Sequence, residues 1–173
     1  MGEASSFVVT LSDEEMRQAA QVAKDLHDRL RRRGVRDGHG LRKEDATPEM
    51  EAGGAAAELA AAKFYGVPWA ASQPGHKADG PDIGTRTQVR SSNKPRSSHH
   101  LIVRVKDITK YKDVPFILVI QTGNQFEIKG WASSFDAVNR GREWDGGDKG
   151  RPPAYFLHET KLNPPNTLRA EDM

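Results

Sequence analysis

Asp82-Ile-Gly-Thr-Arg-Thr-Gln-Val-Arg90 is the stretch on which the fold of this 173-residue chain turns. Gly84-Thr-Arg86 has turn chemistry and sits between two short β-prone runs, so the segment predicts a tight hairpin. Around such a turn Asp82 stands opposite Gln88, and directly opposed residues of antiparallel strands have Cβ atoms about 4.5–5.5 Å apart. Gln88 and Arg90, two apart on one strand, share that face. A carboxylate and an amide oxygen, both hard donors for a divalent cation, thereby meet a fixed positive charge. The plainer reading of Asp82 is an Asx-type hydrogen bond that organises the turn.

Outward from the hairpin, strands are expected at 81–84, 86–91, 101–106, 116–121, 126–131 and 154–158, from their β-branched and aromatic content and the turn residues between them. Thr122-Gly-Asn124 reads as a hairpin turn, 93–98 as a basic loop, 136–143 as a short helix, and 67–80 as loop with a short strand near Trp69. Upstream, Ser12-Asp-Glu-Glu15 is a capping box that opens a helix over 13–33, closed by Arg31-Arg-Arg33-Gly34. Its apolar stripe is Met16, Ala20, Ala23, Leu26 and Leu30, with Ala19 beside it and His27 at the edge. Residues 34–46 read as a polar connector. Thr47 and Pro48 open a second, alanine-rich helix that stops at Gly66, its small side chains suited to packing against a sheet. Helices on a mixed, largely antiparallel sheet make an α/β (α+β) domain. The organisation expected is an N-terminal helix and connector (1–46), a core (47–160) and a weakly ordered, proline-led tail (161–173).

The chain has no cysteine, which excludes disulfides, thiolate chemistry and cysteine-ligated zinc and makes a reducing, cytoplasmic setting the expected one. No apolar run approaches the roughly 18 residues of a membrane span, so no membrane partner is expected. The net charge of +2 implies no partner, but its distribution does. Arg86, Arg90, Lys94, Arg96, Arg104, Lys106, Lys110 and Lys112 face a single acid, Asp107, between 86 and 112. A local basic field of this kind suits phosphates. Lys94, Arg96, Arg104 and Lys106, with Lys77 beside the hairpin, are the candidate nucleic-acid contacts; the alternatives are a solvated face or an acidic protein partner. His99-His100 could bind a metal or phosphate, or simply enter a strand exposed. Trp69, Trp131 and Trp144 could stack bases, although Trp69 and Trp131 read better as core.

Taken in order, Glu58 on an alanine-rich helix, Pro81-Asp82 at a strand and Gln88-Val89-Arg90 on the next strand resemble the PD-(D/E)XK nuclease superfamily with its last motif altered. Stretches 78–90, Leu101-Ile-Val-Arg104, Pro115-Phe-Ile-Leu-Val119 and Gly130-Trp131 are similar to small bacteriophage-type proteins placed near that superfamily, and the resemblance covers about residues 50–160. It implies a restriction-endonuclease-like core and a hydrolase that cleaves DNA with Mg2+ or Mn2+. It makes Asp82 and Gln88 metal ligands, Glu58 a further ligand or supporting acid, and Arg90 the fourth catalytic residue. Glu51, two helical turns before Glu58, is the alternative acid, and an outward-facing Glu58 is the plainer reading. Gln88 stands where the family has an acid, so one negative charge is gone. Arg90 stands where it has lysine, and an arginine cannot act as a general base near neutral pH. Two outcomes are open: an active variant, or a nuclease-derived module that binds nucleic acid or a protein without cleaving.

Overall fold

The computed structural model describes residues 7–32, 48–77, 79–147 and 150–173; the connector expected at 34–46 lies outside them. Helix α1 (Asp13–Arg32) opens with the expected reciprocal cap, Glu15 N–H donating to Ser12 Oγ and Ser12 N–H to Glu15 Oε1, both at 3.1 Å. Its buried centre is Ala19, flanked by half-buried Met16, Ala23 and Leu26, whereas Ala20 is exposed. Helix α2 (Pro48–Tyr65) ends as expected at Gly66, whose positive φ of 67° lets Val67 N–H turn back to the Ala62 carbonyl. Ala55, Ala56, Ala57, Ala60, Ala61 and Ala62 are all buried, because α2 lies between α1 and a sheet and only small side chains allow both approaches.

That sheet has the order β1 (Val8–Thr10), β5 (Gln125–Ser133), β4 (Pro115–Thr122), β2 (Gln88–Ser92). β4 and β5 form an antiparallel hairpin, β1 joins β5 antiparallel, and β2 runs parallel to β4. Ile117 and Val119 face α2 with Val89; Phe116, Leu118 and Ile120 face the other way. Against this second face packs a separate antiparallel sheet, β3 (His100–Arg104), β7 (Ala154–His158), β6 (Arg142–Trp144), through Leu101, Val103 and Leu157. The protein is therefore α+β with two mostly antiparallel sheets, and the single central sheet expected from sequence is corrected to two. The reason is burial: Phe116, Leu118 and Ile120 give the first sheet a second apolar face, and Leu101, Val103 and Leu157 cover it by stacking face to face.

Two further departures bear on the site. The strand expected over 101–106 stops at Arg104, and Val105–Tyr111 form helix α3. β-branched Val105 and Ile108 argue for strand, but Asp107 accepts the Arg104 N–H at 3.3 Å and so caps a helix start. The strand expected at 81–84 is reduced to bridges linking Trp69 to Ile83 and Ile83 to Thr87. The later helix is α4 (Ser134–Arg140), slightly earlier than expected. Among the described residues no helix is long and apolar enough to cross a membrane.

The proline-led tail is also corrected: Leu168 and Met173 are buried in the α2-side core. Tyr65 Oη donates to the Pro165 carbonyl at 2.8 Å, and Met173 O accepts from the N–H groups of Thr85 and Arg86, at 2.9 and 2.7 Å. The tail thus holds the tip of the hairpin. Gly84 has φ 59°, and a Cβ there would lie 2.8 Å from Met173 O. Gly84→Ala should therefore lower stability by about 2 kcal/mol, left-handed strain and the backbone contact adding. Gly54→Ala, in α2 with nothing within 4 Å of the new Cβ, should raise it by about 0.5–1 kcal/mol. Urea denaturation reads both, and equal effects would exclude the Met173 contact as the cause.

Candidate functional site

The turn at Gly84–Arg86 brings the Ile83–Thr87 bridge together, with Asp82 N–H donating to Thr87 O at 3.0 Å, so Asp82 comes beside the start of β2. Because β2 is an edge strand, its Val89 N–H points out of the sheet, and Asp82 Oδ2 accepts it at 2.8 Å. Both readings of Asp82 meet here, since one carboxylate oxygen organises backbone.

Arg90 lies on the face of β2 that looks toward the second sheet. Its guanidinium stands 5.0 Å over the Phe116 ring, donates to Asp107 Oδ2 at 2.9 Å, and lies 3.9 Å from Asp82 Oδ2. On the opposite side of the edge, Glu58 projects from α2 among buried alanines and accepts the Trp69 Nε1–H at 3.0 Å through Oε2. Glu58, Asp82, Arg90 and Asp107 thus wrap the sheet edge, from the α2 side to the start of α3. Gln88 is buried, and its Nε2 donates to the Gly80 carbonyl at 3.3 Å. Its amide holds the loop before the hairpin.

Electrostatics separate the members of this group. Burial, with the Asp82 carboxylate added to it, pushes the Glu58 carboxyl up to about 8, only partly opposed by the Trp69 N–H and Arg90. Asp82 is also raised, first by burial and then by Asp107, with Arg90 and the Val89 N–H pulling the other way. Near neutral pH the pair therefore holds a proton on Glu58. Since Glu58 binds that proton more tightly folded than unfolded, its contribution to stability is complete below its ordinary value of 4.5 and is lost as pH rises through about 8. Asp82 adds with the same sign. Glu58→Gln should flatten the fall in stability between pH 5 and 8.5 by about 2 kcal/mol, less than the full shift because solvent screens a half-buried group. A wild-type thermal midpoint that does not fall over this range would contradict the arrangement.

The remaining sequence candidates are placed as follows. Glu51 Oε1 lies 3.1 Å from His27 Nδ1, which turns it toward α1 and pairs two residues the sequence left separate. Lys77, Lys94 and Arg96 are exposed on loops, Arg104 is the N-cap of α3, and Lys106 is exposed in its first turn. The His99 N–H donates to the Glu159 carboxylate at 2.9 Å and its Nε2 lies 3.1 Å from the Lys94 carbonyl, and His100 lies on β3 of the second sheet. Trp69 is buried and Trp131 half-buried, its Nε1–H donating to Thr167 Oγ1. Two members of the site, Trp69 and Asp107, were not placed at it by sequence. Trp69, as the Glu58 partner, carries only the general signal that a buried indole N–H needs an acceptor. Asp107 carries a sharper one, as the lone acid in the basic run.

Among the described residues no group of three or more His, Cys, Asp or Glu is arranged to hold a metal. Glu58 and Asp82 are nonetheless hard oxygen donors, the Asp82 charge raises the proton affinity of Glu58, and each has one oxygen engaged by an N–H. A divalent cation that keeps several waters and takes one or two carboxylates fits that donor set. Comparison with known proteins finds no matching family model, no matching curated protein and no matching solved structure.

Proposed function

We propose that this protein is a divalent-metal-dependent nuclease that cleaves DNA phosphodiester bonds at the β2 edge, on a core of restriction-endonuclease type. The observation that carries the reading is that two carboxylates from different elements, Glu58 on α2 and Asp82 before β2, lie at the β2 edge, close enough for the Asp82 charge to help hold a proton on Glu58 that a cation would displace. Mg2+ or Mn2+ bound there would supply a Lewis acid and an activated water. Asp82 would be the principal ligand, Glu58 would join once its proton leaves, and the buried Gln88 amide would keep the hairpin loop in register. Arg90 would steady a phosphate oxygen, drawing its charge away from Asp107. Lys77, Lys94, Arg96, Arg104 and Lys106 would meet backbone phosphates.

A second reading is favoured by a specific observation. Arg90 is already engaged by Asp107 and Gln88 by Gly80, so both altered positions of the motif have structural partners. On that reading the fold binds nucleic acid, or an acidic protein partner, without turnover. Incubating the full chain with linear, circular and single-stranded DNA in Mg2+ or Mn2+, beside an EDTA control, separates the two. Cation-dependent cleavage selects the nuclease; its absence with every substrate, alongside salt-dependent DNA binding, selects the binding module. Metal affinity read by Mn2+ titration should also rise from pH 6 to 8.5, because the cation competes with the Glu58 proton.

A further inference from the structure

The second sheet covers its inner face against β4, and α3 and α4 add to that same side through Ile108, Tyr111 and Ala137. Its outer face carries none of the described helices or strands. Cross-strand register places His100 opposite His158, Ile102 opposite Phe156, and Phe156 opposite Arg142. The rings form one continuous ridge: Trp144 to Phe156 at 5.7 Å between centroids, Phe156 to His100 at 6.2 Å, and His100 to His158 at 5.0 Å. Successive rings meet at 69–87°; Trp144, with Gly147 beside its indole, Phe156 and His158 are half-buried, so each offers part of its ring to a planar group arriving from solvent. His100 and Arg142 are exposed, and Ile102 is 37% exposed, large for an apolar residue in a strand.

The uncommitted charges around this ridge are positive. Burial and then His158 hold the His100 pKa down, and Arg142 and Arg96, both near enough to act on it, add to the effect. The acid that acts on His100 in the opposite sense, Glu159, is already paired with Lys129 at 3.0 Å and with the His99 N–H. Glu143 faces the other side of the sheet, opposite Tyr155, and Asp145 accepts the Gly147 N–H. Two histidines without a third ligand do not make a metal centre. Aromatic rings on an open sheet with arginines at its margins have a different match in chemistry: unstacked bases on the rings and phosphates on the cations.

We propose that the outer face of the β3–β7–β6 sheet binds single-stranded nucleic acid, with bases stacking on Trp144, Phe156 and His100 and the backbone running past Arg142 and Arg96. Three strands about 4.8 Å apart give the face room for about two or three bases. A duplex keeps its bases stacked internally and offers this ridge only its phosphates, so the surface discriminates strandedness and not sequence. The assignment does not rest on the carboxylate pair: it concerns other residues and needs no cation.

The test is fluorescence anisotropy of a labelled twelve-nucleotide thymidine oligomer and a duplex of equal length against the full chain, in EDTA, so that cleavage does not enter. The single strand should bind at least about tenfold more tightly than the duplex, with quenching of tryptophan fluorescence that Trp144→Phe removes. His100→Ala should weaken single-strand binding about five- to tenfold, and Arg142→Glu should weaken it further and flatten its salt dependence. Both substituted residues are exposed, and circular dichroism confirms that the variants fold. Equal affinity for duplex and single strand, binding by Arg142→Glu and His100→Ala equal to the parent protein, or no binding of either nucleic acid would each overturn the proposal; the last would point to a protein on this face. Loss of cation-dependent cleavage alone would leave it standing and count against the Asp82 site.

Discussion

Asp82→Asn should lower cation-dependent DNA cleavage about 100-fold or more, equivalent to at least ~2.7 kcal/mol of transition-state stabilisation. The asparagine oxygen can still accept the Val89 N–H that Asp82 Oδ2 holds at 2.8 Å, so the hairpin survives while the charge that would draw the proposed cation goes. Stability should not fall, because the substitution removes a carboxylate whose ionised form burial disfavours. Single-turnover cleavage over a range of Mn2+ concentrations is the measurement. A lost rate recovered at high Mn2+ identifies a ligand. A rate unchanged at every concentration places the chemistry elsewhere. A rate lost together with the thermal transition assigns Asp82 to folding alone. Glu58→Gln should give a smaller loss, confined to pH values above about 8, where Glu58 would otherwise be ionised.

The largest effect on stability should come from Asp107→Ala, at about 2–3 kcal/mol. Breaking a buried ion pair by removing one partner costs roughly 3–5 kcal/mol, and the lower figure follows because the Arg90 side chain retains 25% of its exposure. Asp107 also accepts the Arg104 N–H, so its removal loosens the start of α3. Among the described residues Arg90 would keep Asp82, 3.9 Å away, as a carboxylate neighbour at this edge. A double-mutant cycle of Asp107→Asn and Arg90→Gln should return a coupling above about 1 kcal/mol. Coupling near zero would mean that the pair is solvated and that Arg90 is available to a phosphate without competition.

These two residues mark how far the site was legible. Asp82, Gln88 and Arg90 are close in sequence, and the turn residues between them dictate which side of a hairpin each occupies. Glu58 is legible as a carboxylate among alanines on a helix whose face must be buried. What its neighbours are was not legible, because Trp69 reaches it across the loop after α2 and Asp107 reaches Arg90 from a helix the β-branched sequence hides. Gln88 and Arg90 show the same limit. Their identities are read directly along the chain; that each has a structural partner, Gly80 and Asp107, depends on what lies opposite.

Local chemistry along the chain determined the two long helices, the hairpin turns at Gly84 and Gly123, the β4–β5 pair and the basic segment, since capping, turn conformation and residue alternation act over a few positions. Tertiary structure alone decided that β3, β6 and β7 form a second sheet, that Val105–Tyr111 are helical and that residues 165–173 close over the hairpin. Each depends on groups brought together from separate parts of the chain: the apolar faces of two sheets, an aspartate that caps its own helix but is also shared with Arg90 on β2, and a Met173 oxygen held by three donors of the 85–87 turn. Such contacts form only when the core has gathered their partners, so nothing in the local pattern announces them.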